Sequence, residues 1–354
     1  MNLDDLSYFK KNDTLNMLAE IDGLPDQLQQ AWNLGQTLPL PKLDEVSVIV
    51  ISGLGGSAIG ADLVAAFVAS SIRVPVIVHR DYGLPAFAYG KQTLVICSSH
   101  SGNTEETLDV FESALEKKCS VVTICTGGEL AKRAEENDIP VWRFAHNGQP
   151  RAAIGFSFGL LLSLLVRLKF IPDPSKDLAE AISAMKTSQE YLRADVLAAK
   201  NPAKRYAGQL VGRWVTVMGA GILAPVARRW KGQLNEVAKA GANFEFLPEA
   251  NHNTLAGTIN PSKILNESTM TLFLNSPSDH PRNKLRSFFT RQAFMVEGLN
   301  TDAVDARGES PLAHVWTLIL FGDYMAYYLA MAYGVDPTPV EALNNFKNSM
   351  AGVK

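Results

Sequence analysis

The sequence predicts an α/β protein with two doubly wound parallel sheets and helical extensions at both ends. Short, nearly wholly apolar runs of strand type alternate with segments of helical periodicity, a pattern typical of parallel sheets covered by helices on both faces. The order strand, glycine turn, helix also occurs twice, first around Gly53 and again around Gly219. We therefore expect two similar domains, one with an N-terminal arm at 1–170 and one with a C-terminal helical tail at 171–354.

The first half is predicted to contain a helical arm and five strands. Residues 3–35 form the amphipathic arm, in which Pro25 opens a second short helix. The helices that follow fall at 58–70, 105–117 and 129–137. The strands fall at 46–51, 74–79, 93–97, 121–125 and 141–144.

The second half repeats this alternation after an apolar helix at 152–169 and a proline-containing hinge at 171–175. A polar helix is predicted at 177–200, and Pro225 opens another that ends near residue 240. Further helices fall at 283–297 and 312–333. The strands fall at 214–218, 244–247, 269–274 and 301–304.

The composition indicates a globular enzyme. With 354 residues, 47% of them hydrophobic, the chain can bury large cores in about two domains. A formal net charge of −3 and the absence of a long basic run argue against nucleic acid or an anionic membrane as a partner. An anionic substrate would therefore need cations that are placed locally.

Cysteine usage and the N-terminus predict a cytoplasmic protein. Cys97, Cys119 and Cys125 form no CxxC pair and lie in or beside apolar runs, as expected of reduced thiols. Residues 1–6 are acidic, whereas a secretory signal is basic and then apolar.

Two apolar stretches could be mistaken for membrane spans. Residues 152–166 are fewer than the roughly 20 needed to cross a bilayer. Residues 315–333 carry Asp323 near their middle, where a carboxylate would be costly in lipid. We interpret both as buried helices at a domain or subunit interface.

A serine-rich turn joins a predicted buried strand to a helix. Its hydroxyls, on Ser99, Ser101 and Thr104, would face the N-terminus of that helix, whose free N–H groups attract anions. Gly102 lets the backbone approach a ligand closely. A simpler interpretation is that Asn103 or Thr104 only caps the helix. Three hydroxyls exceed what one cap needs, so the turn predicts a phosphate site.

The glycine turn G-L-G-G-S-A at 53–58 has two interpretations. It matches the dinucleotide fingerprint G-x-G-x-x-A, and Arg80, after the next strand, could bind the 2′-phosphate of NADP. An NADP-dependent dehydrogenase is therefore one hypothesis. In the other, the same glycines bring backbone N–H groups against a sugar, and Ser57 adds a hydroxyl.

The serine turn resembles the S-x-S-G-N-T-x-E-T signature of the sugar isomerase (SIS) fold. Four further segments resemble, in order, the bifunctional phosphoglucose/phosphomannose isomerase family. They are P-R-x-A at 150–153, N-E-x-A-K at 235–239, P-E-x-N-H-N at 248–253, and D-P-T-P-V with a following lysine at 336–347. Together with the two turns, these segments span nearly the whole chain. The chain departs from the family at 254–258, which lacks a tryptophan near the glycine.

The resemblance implies two SIS-type domains and an aldose–ketose isomerase that interconverts glucose 6-phosphate and mannose 6-phosphate with fructose 6-phosphate. The sugar ring opens, and a proton then moves between carbons 1 and 2 through a cis-enediolate. The implied roles are a base for Glu236, a substrate-facing cation for Arg151, and ring opening for His252 and Lys347. The implied substrate-binding residues are Gly55, Gly56, Ser57, Ser99, Ser101 and Thr104.

The resemblance also implies no cofactor, and a homodimer in which His252 reaches the pocket of the neighbouring subunit. The sequence contains no clustered His, Cys or Glu motif of the kind that binds a metal. A third hypothesis is a non-catalytic sugar-phosphate-binding SIS protein. Residues 1–45 lack the basic helix-turn-helix that a transcriptional sensor would need, and turnover would separate an enzyme from a sensor.

Overall fold

Two parallel sheets form the framework of the computed structural model, which describes residues 2–352. The first contains β1 (Val48–Ser52), β2 (Val76–His79), β3 (Thr93–Ser99), β4 (Ser120–Cys125) and β5 (Val141–Arg143), in the order β2-β1-β3-β4-β5. The second contains β6 (Trp214–Ala220), β7 (Ala242–Leu247), β8 (Thr269–Asn275) and β9 (Thr301–Asp305), in the order β7-β6-β8-β9. Each recorded strand pair is parallel, which confirms the predicted fold class.

Helices cover both sheets. Those of the first half are α1 (Leu6–Asn12), α2 (Met17–Asp22), α3 (Leu24–Gly35), α4 (Gly55–Val68), α5 (Glu105–Glu116), α6 (Gly128–Glu136) and α7 (Ile154–Arg167). Those of the second half are α8 (Ser175–Leu192), α9 (Pro202–Leu210), α10 (Ala224–Glu236), α11 (Ser262–Ser268), α12 (Pro281–Val296), α13 (Pro311–Tyr333) and α14 (Glu341–Ala351).

The single helix predicted at 177–200 is wrong, because the chain forms α8 and then α9 with an irregular link between them. Asn201 is the reason. Its side-chain oxygen accepts from the Lys204 N–H and caps α9, while its amide nitrogen donates to the Leu192 carbonyl at the end of α8. Pro202 follows at the first helical position, where proline favours the start of a new helix.

The apolar helices α7 and α13 are buried within the chain. Helix α7 packs on α3 and α4, and α13 packs on α8, α9 and α10. In the described part of the chain, α13 is the one helix long and apolar enough to cross a membrane, and 94% of its apolar window is buried. The apolarity of these helices therefore does not require a second subunit.

One hydrophobic core runs through both halves of the chain. The N-terminal arm contributes to it, because the ring of Phe9 packs against Tyr327 and Tyr328 of α13. The domain boundary predicted at residue 170 falls in the short link between α7 and α8, and it stays a prediction.

Candidate active site

The glycine turn (residues 53–58) and the serine turn (residues 98–104) lie side by side at the carboxyl edge of the first sheet. They follow β1 and β3, which are neighbours in the sheet, and β1 is flanked by β2 on its other side. The strand order therefore reverses between the two turns, which is where open α/β sheets bind ligands. A Cβ added at Gly53 would lie 2.7 Å from the Ser98 carbonyl oxygen, so the turns are in direct contact.

The hydroxyls of the serine turn do not serve as a simple helix cap. Thr104 occupies the N-cap position of α5, but its side chain forms no capping bond within the described residues. Its Oγ1 instead lies 2.8 Å from Ser99 Oγ. The Asn103 side chain accepts from the Glu129 N–H, outside the turn. The first N–H groups of α5 thus lack a cap from either side chain, as an anion site requires.

Glycine is required at position 102. The residue has φ of +71°, and an added Cβ would lie only 1.9 Å from the Gly127 carbonyl oxygen. The turn is closed by a 3.1 Å bond from the Gly102 N–H to Ser99 Oγ, while Ser101 remains exposed and accepts from the Asn103 N–H at 3.2 Å. Close packing thus fixes the position of the hydroxyls.

A cleft of about 340 Å³ opens between α4 and α10, beside the glycine turn. Its lining includes Gly55, Gly56, Arg151 and Glu236, which the sequence placed in three separate motifs. An added Cβ at Gly55 would meet no atom within 4 Å, so this face of the turn is open. The cleft is also rich in cations, which suits an anionic ligand. They are Arg80, Arg151, Arg228, Arg229 and Lys231.

Arg151 is fixed on the floor of this cleft, with only 4% of its surface exposed. Its Nη2 donates to the carbonyls of Pro337, at 2.9 Å, and Thr338. Behind it, Arg229 donates to the Arg151 carbonyl at 2.9 Å and pairs with the buried Asp323 at 2.7 Å. Burial is the main cause that lowers the pKa of Arg151, and Glu236 opposes it.

Glu236 is the last residue of α10 and keeps 33% of its side chain exposed. Its Oε2 lies 3.8 Å from Arg151 Nη1. The apolar face of α10 and of the residue that follows it is buried, which turns Glu236 toward the cleft; this face consists of Val226, Trp230, Leu234 and Val237. The Glu236 carboxylate does not form a surface ion pair with Lys239. Lys239 Nζ donates instead to the main-chain carbonyl of Glu236, at 2.8 Å.

The structure does not bring His252 or Lys347 to the cleft. His252 is exposed on a short 3-10 turn that follows β7. Lys347 is exposed on α14, a helix whose described side chains all lie in exposed or partly exposed positions. Neither residue lines the cleft that holds Arg151 and Glu236. Their roles in ring opening stay predictions.

Comparison with known proteins decides the family. The chain is 39% identical to the bifunctional phosphoglucose/phosphomannose isomerase of Caldicellulosiruptor bescii, over 96% of this chain and 100% of that protein. The chain belongs to the bifunctional phosphoglucose/phosphomannose isomerase family. The enzyme of the same name from Aquifex aeolicus is 32% identical, over 85% of this chain and 90% of that one. Residues 199–350 also match the model for the bacterial phospho-glucose isomerase C-terminal SIS domain.

Solved structures agree with the fold. The tagatose-6-phosphate ketose/aldose isomerase of Escherichia coli superposes with a TM-score of 0.70, at 16% identity, over 92% of this chain and 95% of that one. At that identity the likeness shows the fold alone. It agrees with the two-sheet α/β fold of this phosphoglucose/phosphomannose isomerase family member, whose second half matches the SIS domain model.

Sequence reasoning missed a chain of titratable groups behind the serine turn. Within that turn, Nε2 of His100 lies 2.9 Å from Nδ1 of His146. On its other side, Nε2 of His146 lies 3.1 Å from Oε2 of Glu20. Burial is the main cause that lowers the pKa of His100 to about 4, and His146 adds to it. The three residues come from α2, the loop before Arg151 and the serine turn, so no local spacing could have revealed them.

The second sheet of this family member has a turn that corresponds to the serine turn. This turn follows β8 and contains Ser276 and Ser278. Strand β8 lies next to β6 in the second sheet, just as β3 lies next to β1 in the first. Two polar groups of this turn are paired within the protein, because Asp279 accepts from the Ser276 N–H at 2.9 Å and Ser278 Oγ lies 2.7 Å from His314 Nδ1.

Proposed function

We propose that the protein interconverts glucose 6-phosphate and mannose 6-phosphate with fructose 6-phosphate by aldose–ketose isomerisation. The observation that carries this proposal is the placement of a carboxylate, Glu236, 3.8 Å from a fixed guanidinium, Arg151, in a cation-rich cleft. A carboxylate can remove a proton from carbon, and a buried cation can stabilise the charge that results.

The substrate phosphate binds at the serine turn, where the N–H groups of α5 and the hydroxyls of Ser99, Ser101 and Thr104 supply donors. The open face of Gly55 and Gly56 lets the sugar lie against the backbone. Ser57, in the first turn of α4, is buried next to these glycines. In this proposal carbons 1 and 2 of the bound sugar lie in the cleft that holds Glu236 and Arg151.

The reaction has two stages. The ring opens when a proton moves from the anomeric hydroxyl to the ring oxygen, and His252 and Lys347 perform this step. Glu236 then takes the proton from carbon 2 of the open aldose and returns it to carbon 1 of the enediolate, while the hydroxyl proton passes from oxygen 2 to oxygen 1 so that the carbonyl forms at carbon 2. Arg151 stabilises the negative charge of the enediolate. Both aldoses give the same planar enediolate, so one base can serve both epimers.

The active protein is a homodimer with shared sites. His252 is exposed on its turn, where it can enter the cleft of a second subunit. Helix α12 also exposes Leu285, Phe288 and Phe289, with relative exposures of 45%, 56% and 59%. Side chains of that size are suited to an apolar interface. The protein functions in the cytoplasm, which the free thiols support.

The test is to incubate the purified protein with fructose 6-phosphate, without added metal or nucleotide, and to identify the products by NMR. We expect both glucose 6-phosphate and mannose 6-phosphate. Binding without turnover would indicate the sensor, and turnover that depends on NADP would indicate the dehydrogenase. The environment of Arg80 does not favour the dehydrogenase, because Arg80 is already paired with Asp62 and the Ala58 carbonyl.

A further inference from the structure

Lys239 follows α10 in a backbone conformation that favours glycine. Its φ is +54°, in the left-handed region that glycine adopts most readily, and the Ala240 N–H donates to the Leu234 carbonyl at 3.0 Å across the end of the helix. Lys118 and Lys169 have the same left-handed conformation, with φ of +57° and +62°. The conformation alone therefore does not distinguish Lys239, but the contacts of its side chain do.

The Lys239 ammonium binds three main-chain carbonyls. Nζ donates to Glu236 at 2.8 Å, to Pro337 at 3.2 Å and to Val237 at 3.4 Å. Two of these carbonyls belong to the end of α10, where no intrahelical donor remains and the helix dipole favours a cation. An ammonium has three protons for three acceptors, whereas a neutral amine has only two and would point its lone pair at the third carbonyl.

The third carbonyl connects Lys239 to the rest of the site. Pro337 O also accepts from Arg151 Nη2 at 2.9 Å, and Arg151 Nη1 lies 3.8 Å from the Glu236 carboxylate. The Pro337 carbonyl thus links Lys239 to Arg151, and Arg151 in turn lies beside the Glu236 carboxylate. The end of α10 cannot move away from residues 336–338 without breaking a bond of Lys239.

We propose that Lys239 is a positioning residue for the proton transfer. Its ammonium holds the end of α10 against residues 336–338, so that the Glu236 carboxylate stays aligned with the Arg151 guanidinium. This inference rests on the proposed isomerase function and adds a residue to it. Loss of the charge should lower kcat, whereas KM should change little because the serine turn holds the phosphate.

The charge of Lys239 is sensitive to pH in the working range. The groups that face it are Arg151 from the turn before α7, Asp336 from the segment before α14, and Glu236 from its own helix. Burial, followed by Arg151, lowers the pKa of Lys239 to about 8, against the opposing effect of Asp336 and Glu236. Because the ammonium is the active form, wild-type kcat should fall as pH rises through about 8.

The experiment compares Lys239→Gly with Lys118→Gly. Both substitutions relieve a left-handed backbone, so both variants should fold, but only the first removes the carbonyl contacts. For Lys239→Gly we expect kcat with fructose 6-phosphate to fall about 10- to 100-fold, KM to stay within about threefold, and the alkaline decrease near pH 8 to disappear. Lys118→Gly should retain wild-type kinetics and the wild-type pH profile.

Several outcomes would overturn the proposal. A kcat within twofold of wild type in Lys239→Gly would exclude a positioning role. A decrease in kcat at alkaline pH that is the same in the variant as in the wild type would also exclude it. A raised KM with an unchanged kcat would make Lys239 a substrate-binding residue instead. If the wild-type protein itself shows no turnover, the proposed function fails and this inference fails with it, and the wild-type control identifies that case.

Discussion

The Glu236 carboxylate lies 3.8 Å from Arg151 Nη1, although the two residues come from opposite halves of the chain. Arg151 lies in the turn before α7 and Glu236 ends α10, and α10 packs directly on α4 beside that turn. The distance between them is therefore set by packing in the shared core. A carboxylate and a cation held in this way can contact one ligand without rearrangement.

Replacing Glu236 with glutamine should abolish most activity without unfolding the protein. The amide keeps the shape of the side chain but cannot accept a proton from carbon, so kcat should fall by about 10²- to 10⁴-fold. Binding of fructose 6-phosphate, measured by calorimetry, should persist. Glu136→Gln is a matched control, since Glu136 is also the last residue of its helix, is exposed, and lies outside the cleft. Near-normal kcat in Glu236→Gln would place the base elsewhere.

Gly102→Ala should damage both stability and substrate affinity. The added Cβ would meet the Gly127 carbonyl at 1.9 Å in a left-handed conformation, so we expect a loss of roughly 2 kcal/mol in the free energy of unfolding. Because the serine turn must shift, KM for fructose 6-phosphate should also rise.

Gly208→Ala provides the control for Gly102→Ala. Gly208 lies within α9, and an added Cβ there meets no atom within 4 Å. This substitution should raise stability by about 0.4–1 kcal/mol, since alanine favours a helix. Urea unfolding and steady-state kinetics measure both variants. Equal stability in the two would contradict the geometry of the serine turn.

The sequence could predict the strands and part of the site because both follow from local patterns. Apolar runs mark buried strands, and the carboxyl ends of neighbouring parallel strands share one edge, which brings the glycine and serine turns together. The role of Glu236 could not be predicted from a local pattern. Its helix position favours an ordinary surface carboxylate, and only the family resemblance indicated a base.

Other features could not be predicted because they depend on distant main-chain atoms. Lys239 binds the Pro337 carbonyl, and His146 reaches Glu20 and His100 from an irregular loop. Neither contact leaves a periodic signal in the sequence. The break between α8 and α9 was predictable in principle from Asn201, since asparagine before proline is a frequent helix start.

Asp279→Asn should stabilise the protein at neutral pH. Burial raises the pKa of Asp279 to about 6, against the opposing effects of the Ser276 N–H and Lys284. A raised pKa means that Asp279 favours folding when protonated, and this contribution is lost as pH rises through about 6. Asparagine stays neutral and can still accept from the Ser276 N–H.

At pH 7.5 we therefore expect Asp279→Asn to raise the free energy of unfolding by about 1 kcal/mol. Solvent screening of the partly exposed carboxylate keeps the effect this small. At pH 4 the gain should vanish. Urea unfolding at the two pH values measures it, with the exposed Asp44→Asn as a control expected to change by less than about 0.5 kcal/mol. A gain that is equal at both pH values would contradict the assignment to Asp279.

Inactive variants should complement each other if the site is shared between subunits. Glu236→Gln and His252→Ala, co-expressed with different tags, would form hybrid dimers in which one site has both the glutamate and the histidine intact. With random pairing, half of the dimers are hybrid and half of their sites are intact, so about a quarter of wild-type activity should return. Arg151→Met paired with Glu236→Gln is the control. Because these two residues meet within one chain, each site of that hybrid lacks one of them and no activity should return. If purified Glu236→Gln/His252→Ala hybrids are inactive, His252 acts within its own subunit or not at all.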